Sequence, residues 1–155
     1  MLAQINKNGS KYSVTYERHL THPVANVWAM FTDNSKLQQW FDELHVEDLR
    51  QGGTILFDMG DGTYEEMKIT ELDHQAVLEF DWDKDRVRFH FMEEDNGCEL
   101  TLIETINELT EHTPKDLAGW HVCLDVIEAL LDGTDYGPRE KSWKKWYEKY
   151  KEALE

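Results

Sequence analysis

Seven histidines, two cysteines and thirty-two carboxylates are the residues of this chain with chemistry to offer. His19 and His22 lie close together but bring no third ligand, and no HExxH pair occurs. Strand-end or surface histidines are therefore expected, and no metal site. Asp81, Asp83 and Asp85 imitate the opening of a calcium loop. Arg86 stands where that loop needs glycine and Met92 where it needs a bidentate carboxylate, so a hairpin turn is the better reading. Gly60-Asp61-Gly62 is followed neither by the Gly-Lys of a phosphate loop nor by a dinucleotide fingerprint. Ser10, Ser13, Ser35 and Ser142 lie outside any nucleophile-elbow context, and Cys98 and Cys123 lack CxxC spacing and any signature of a thiol nucleophile. The cysteines read as buried free thiols, and neither nucleophilic catalysis nor a cofactor has support.

What remains is apolar. Trp28, Phe31, Trp40, Phe41, Met67, Phe80, Trp82, Phe89, Phe91, Trp120, His121 and Leu124 sit on elements that should converge, with Glu66, His90 and His121 as polar groups for a rim or floor. Aromatics around a concavity with a few polar groups are the usual lining of a small-molecule site. A packed core is the plain alternative for the same residues.

The elements that would position them follow from periodicity and punctuation. Tyr12 to Leu20 alternates and is rich in β-formers. His22-Pro23 ends it, and Val24, Val27, Trp28 and Phe31 share one face of a short helix; a second, capped within Thr32 to Ser35, carries Leu37, Trp40 and Phe41. Strand-length runs then lie between turn signals: Leu44 to Asp48, Thr54 to Met59, Tyr64 to Leu72, Ala76 to Trp82, Arg86 to Met92 and Cys98 to Asn107. Alternation sorts Leu78, Phe80, Val87, Phe89, Leu100 and Leu102 to one face and charged residues to the other. A sheet of that kind is covered on one side, and the cover is a long apolar helix from Pro114 to Leu131, with Thr113 as its N-cap, Asp116 in its first turn and Gly133 as its stop. The expected class is α+β: about seven antiparallel strands in the order β-α-α-β-β-β-β-β-β-α, with space left beneath the helix near Trp120. After a linker, Trp143, Trp146, Tyr147, Tyr150 and Leu154 recur at helical spacing among lysines, an appended amphipathic helix that should pack back on the body.

Composition bounds the partners. The 155 residues suit one domain, with a core over 12–133 and an appendage over 134–155. Sixteen basic residues against thirty-two acidic give a net charge of -16, which disfavours nucleic acid and anionic membranes. No signal-peptide run or stretch of membrane-spanning length is found, so a cytoplasmic protein is expected.

The order of elements resembles the helix-grip fold of the START-like (SRPBCC) superfamily, and more closely its branch of bacterial homologues of the activator of the heat-shock-chaperone ATPase. The residues that carry the resemblance are His22-Pro23-Val24-Ala25-Asn26-Val27-Trp28-Ala29-Met30-Phe31, the segment Leu37-Gln38-Gln39-Trp40-Phe41, Gly52-Gly53 before a strand, and Gly119-Trp120-His121-Val122-Cys123-Leu124. The resemblance implies a cavity between sheet and long helix, used across the superfamily for lipids, sterols, polyketides and other hydrophobic molecules. A cofactor-free protein binding a small lipid-like or aromatic molecule, as monomer or homodimer, is the first expectation. A stress-related module that engages a chaperone or other protein is the second. An enzyme of cyclase or hydrolase type, using Glu66, His90 or His121 as acid or base, is the third.

Overall fold

The computed structural model describes residues 1–155. Its elements run β1 (Gln4–Asn8), β2 (Lys11–Leu20), α1 (Val24–Thr32), α2 (Asn34–Trp40), β3 (Leu44–Asp48), β4 (Thr54–Asp58), β5 (Tyr64–Asp73), β6 (Val77–Trp82), β7 (Asp85–Glu94), β8 (Gly97–Ile106), α3 (Thr113–Asp132) and α4 (Arg139–Ala153). The eight strands form one curved antiparallel sheet in the order β1-β2-β8-β7-β6-β5-β4-β3, an α+β helix-grip architecture. The first long strand pairs with the last, from Tyr12 opposite Ile106 to Leu20 opposite Cys98. The chain therefore closes on itself at β2 and β8, and α1 and α2 carry it to the far edge, where β3 begins the meander. Irregular registers between Val46 and Asp48 and between Ile69 and Glu71 bend that far half, as an extra residue on one strand does.

One strand joins the seven expected. β1 pairs with β2 from Gln4 opposite Thr15 to Asn8 opposite Lys11, turning through Gly9 and Ser10. Gly9 has φ 67°, the left-handed conformation that a tight hairpin needs at its first central residue. Almost nothing of β1 is buried, so it carries no alternating apolar face.

Local chemistry sets the helix ends. Asp33 caps α2, its Oδ1 accepting from the Ser35 backbone N–H at 3.0 Å and the Ser35 hydroxyl at 2.7 Å. α3 begins one residue earlier than expected, at Thr113, and His112 in front of it makes no side-chain cap. The Thr113 hydroxyl accepts instead from the Thr110 N–H at 3.0 Å, which ties the incoming loop to the helix. Gly133 ends α3 at φ 72°, donating its N–H to Ala129 and Leu130 carbonyls.

The core fills the concave side of the sheet, closed by α1, α2 and α3. Two buried polar groups there are anchored: Trp40 Nε1 donates to the Met30 carbonyl at 2.8 Å, and the Tyr16 hydroxyl to the Leu117 carbonyl at 3.0 Å, which clamps β2 to α3. The convex face is ionic. Arg88 bonds Glu71 at 2.8 Å and Glu79 at 2.9 Å, and its Nε donates to His90 Nε2 at 2.8 Å. α4 lies on α3, with Tyr150 buried and the Trp143 N–H donating to the Lys115 carbonyl at 3.2 Å. No helix is long and apolar enough to cross a membrane.

Candidate functional site at the mouth of the sheet

Alternation along β6 and β7 points Phe80, Trp82, Phe89 and Phe91 into the concavity, and α1, α2 and α3 bring Trp28, Phe31, Trp40, Phe41 and Trp120 to meet them. The rings form a chain of edge and tilted contacts, the geometry that aromatic quadrupoles favour. At the closed end Trp28 lies 5.0 Å from Phe91, and Phe31 lies 4.7 Å from Phe89 between ring centroids. Phe89 contacts Trp120 at 5.7 Å, Trp120 contacts Trp82 at 5.0 Å, and Trp82 contacts Phe57 at 5.9 Å. Trp40 and Trp120 are 1 % and 2 % exposed, so their inner faces are packed into the core.

Free space begins where this chain of rings ends. A cleft of about 500 Å³ opens between β4 and β5, the turn after Trp82, the loop before α3 and the first turn of α3; Phe57, Met59, Met67 and Trp82 are its apolar walls. A second groove, of about 410 Å³, runs beside it over Trp40, Phe41, Trp82 and Trp120, bordered by Arg139 and Trp143 of α4. Gly119 lines this groove, and a Cβ placed on it would meet nothing within 4 Å. Trp82, His112 and Asp116 belong to both spaces. The void thus lies beside Trp120, toward the N-terminus of α3, and not beneath it.

Of the twelve residues named from sequence, Met67, Trp82, Trp40, Phe41 and Trp120 border free space. Trp28, Phe31, Phe80, Phe89, Phe91 and Leu124 are buried behind them. His121 faces the other way. Its ring stacks on Trp146 at 3.7 Å and its Nδ1 lies 2.7 Å from the Tyr150 hydroxyl, which also accepts from the Ala3 N–H at 3.0 Å. Burial, with Arg18, the N-terminus and Lys145 nearby, pushes its pKa down to about 3. Glu66 and His90 lie on the convex face, one residue out of phase with Met67 and Phe89, and His90 is lowered by burial and by Arg88. His19 and His22 diverge: His19 stands 3.2 Å from Glu94, close to Glu99, while His22 bonds Asp132 at 2.6 Å. Cys98 and Cys123 are free thiols, and burial raises both, Cys123 to about 12.

Glu104 is the polar residue that residue-type reasoning missed. It sits on β8 in the inward register of Cys98, Leu100, Leu102 and Ile106, with no exposure; no donor of the fold reaches its carboxyl oxygens, and in its protonated form it donates to the Asp116 carboxylate. Burial drives its carboxyl well above the ordinary range, and Asp116 and Asp85 add to the shift. Continuing the alternation from Leu100 and Leu102 by two residues is the signal that finds it. Around it, Asp116 Oδ1 accepts from Trp82 Nε1 at 2.8 Å and Asp85 Oδ1 accepts from the Asn107 N–H at 3.0 Å. The Asp85 carboxyl is itself raised, chiefly by burial, with the Asn107 bond opposing. The Trp120 N–H is buried without a partner. A buried carboxyl pair, Glu104 with Asp116, therefore stands at the Asp116 side of the cleft.

Comparison with known proteins agrees with this geometry at the level of fold. A conserved protein of unknown function, EF2215, from Enterococcus faecalis superposes with a TM-score of 0.89 at 24 % identity, over 98 % of this chain and 90 % of that one. CalU16 from Micromonospora echinospora gives 0.73 at 19 % identity over 96 % and 92 %, and the protein encoded by BPP1335 from Bordetella parapertussis 0.70 at 20 % over 94 % and 86 %. No curated protein matches significantly in sequence. Residues 21–132, from the end of β2 to the end of α3, match the model of one family, and the chain belongs to it: the Activator of Hsp90 ATPase homolog 1-like proteins.

Proposed function

We propose that the protein binds a small, largely apolar molecule in the cleft at the mouth of the sheet. The fold of its family is one that commonly holds hydrophobic ligands. The observation that carries the reading here is the cleft of about 500 Å³ that adjoins the aromatic core through Trp82, walled by Phe57, Met67 and Trp82 and bordered by Asp116. A volume of that size suits a molecule of one or two rings or a short chain. Burying about 200 Å² of its apolar surface would contribute about 5 kcal/mol before association costs, which places unassisted binding in a weak range that polar contacts must improve. Trp40, Phe41 and Trp120 extend the lining along the adjoining groove, and the deeper rings hold the walls rigid.

The test is a titration of the protein with a panel of aromatic and aliphatic lipophiles, followed by the indole N–H signals of its tryptophans. Trp82 joins both spaces, so its signal should move first, with Trp120 next and the α4 tryptophan Trp146 least. Signals that stay fixed against the whole panel would remove the reading.

A further inference from the structure

Glu104 and Asp116 join parts of the interior that are held very differently. Glu104 stands within the sheet, in register with Val14 of β2 and Val87 of β7, all three without exposure. Paired on both sides, β8 keeps its place. Asp116 stands in the first turn of α3, which has no side-chain cap from His112. The chain around that turn is fastened at two points: Asp85 Oδ1 accepts from the Asn107 N–H at 3.0 Å, and the Tyr16 hydroxyl donates to the Leu117 carbonyl at 3.0 Å. Between them Asp116 reaches the sheet, through the Trp82 N–H of β6 at 2.8 Å and through the proton of Glu104. Geometry assigns that proton. Asp116 accepts from an indole and lies at the N-terminal end of α3, where the helix dipole favours a negative charge; Glu104 receives no donor and is the more deeply buried, so it is the protonated partner. The titratable groups that face Glu104 are Asp116 from α3, Asp85 from β7 and Tyr16 from β2, and none of them is a cation. Lys84, His112 and Lys115 border the spaces that Asp116 borders, and Glu104 borders neither space.

We propose that the proton shared by Glu104 and Asp116 is a latch on the partition between the cleft and the groove: while it is held, the first turn of α3 is drawn to β8 and the two spaces stay apart, and when it leaves, the turn moves off the sheet and the spaces join around Trp82. The latch rests, for its effect on binding, on the reading that the cleft takes an apolar molecule, and adds how that site is regulated. Trp82, His112 and Asp116 are the residues common to both spaces, so a displaced Asp116 that lets go of Trp82 alters the wall they share. Deprotonation sends one proton to solvent and leaves two carboxylates in contact with no cation facing them. Separation relieves the repulsion, and the uncapped turn between Asn107 and Leu117 yields before a strand paired on both sides does. Burial first and Asp116 next raise the Glu104 carboxyl, so the latch is shut at and above the ordinary glutamate value of about 4.3 and opens as pH climbs to the raised value. A molecule of one or two rings fits the cleft with the latch shut. A long chain needs both the cleft of about 500 Å³ and the groove of about 410 Å³, and so binds better as pH rises.

The full chain, Glu104→Gln and Asp116→Asn are followed from about pH 5 to about pH 9, the span in which a buried glutamate titrates, by indole N–H signals and by hydrogen exchange of residues 113–117. In the full chain the Trp82 N–H should shift and its exchange rise about tenfold against that of Trp40, whose N–H stays on the Met30 carbonyl. Glu104→Gln, whose amide donates to Asp116 at every pH, should show no such step. Asp116→Asn removes the neighbouring charge and should bring the step to lower pH. The ligand probes are 4-phenylbutan-1-ol and 12-phenyldodecan-1-ol, which share a ring and a neutral head and differ in length. The short probe should keep its affinity within about twofold across the step, and the long one should bind about tenfold tighter after it, as when a competent state grows from about a tenth of the population to nearly all. Glu104→Gln should lack that gain. A Trp82 signal that tracks Trp40 at every pH, or a step that persists in Glu104→Gln, overturns the latch. A step with no gain for a long probe that binds overturns the joining of the spaces. A step with no binding by either probe sustains the latch and removes the apolar site.

Discussion

Replacing Glu104 by glutamine should make the protein more stable, and by an amount that grows with pH. Glutamine keeps the shape and the hydrogen-bonding capacity of a protonated carboxyl, so near the pH where an unfolded glutamate titrates, about 4.3, the two proteins should be nearly equal in stability. In the folded protein Glu104 is raised by burial first and by Asp116 and Asp85 next. A raised pKa means that the folded state holds a proton which the unfolded state has given up. That contribution is complete below the unfolded value and is lost as pH climbs toward the folded value, at about 1.4 kcal/mol per pH unit for one proton. From about pH 5 to about pH 7 the wild type should thus lose up to about 3 kcal/mol against the variant. In a chain of this length that is a gap in Tm widening by roughly 3–6 °C per pH unit. Every other titrating group is common to the two proteins, His121 included, so the difference between them isolates this carboxyl.

The assay is thermal or urea unfolding of both proteins across that range, by far-ultraviolet circular dichroism and tryptophan fluorescence. Parallel stability curves would refute the reasoning, because they require Glu104 to be ionised at no cost, hence hydrated or paired in solution. A variant less stable than wild type at every pH would refute it also, since it would mean that the charge contributes something an amide cannot.

Gly119→Ala should stabilise the protein by about 0.5–1 kcal/mol, because alanine is the better helix residue and the added methyl points into open groove, where nothing lies within 4 Å; a lower Tm would mean that the groove is closed in solution. Tyr150→Phe removes the hydroxyl shared by His121 and the Ala3 N–H, and should cost about 1–3 kcal/mol with loss of order at the N-terminal strand, read by unfolding and by amide exchange of Ala3. His121, lowered to about 3, should show no titration of its ring signals between about pH 5 and pH 7; its lowered value makes the folded state lose stability as pH falls from about 6.5, the opposite sign to Glu104.

The parts of this fold that were legible share one property: their burial is periodic. Phe80 and Trp82, Val87 and Phe89, Leu100 and Leu102 alternate because one face of the sheet is covered, and α3 is apolar nearly all round because α4 covers its outer side. β1 escaped that logic, being almost entirely exposed, and only its glycine turn marks it. The site was legible as a set of side chains and not as a volume. Whether twelve inward residues leave a hollow depends on how far Trp40 and Trp120 reach across, which is a matter of packing and not of pattern. His121 shows the same limit, since its partners Trp146 and Tyr150 lie on a helix whose docking face the local sequence does not specify.

Glu104 is where pattern and residue type disagree, and the disagreement is informative. Position 104 lies between Leu102 and Ile106 in an inward register where an apolar side chain would bury at no electrostatic cost. A carboxyl there is costly to ionise, and even when neutral it needs an acceptor for its proton. Tyr16, in the same interior, spends its hydrogen on the Leu117 carbonyl and so does not serve the carboxylate. Local rules broken without an evident structural gain are characteristic of functional positions. The same cannot be said of Asp33 or Asp85, whose oxygens cap a helix and tether a loop. No donor of the fold reaches Glu104, but protonated it is itself a donor, and Asp116 in the first turn of α3 is the acceptor that faces it; the two carboxyls hold their interior place by sharing a proton, which ties β8 to α3 only while that proton is retained.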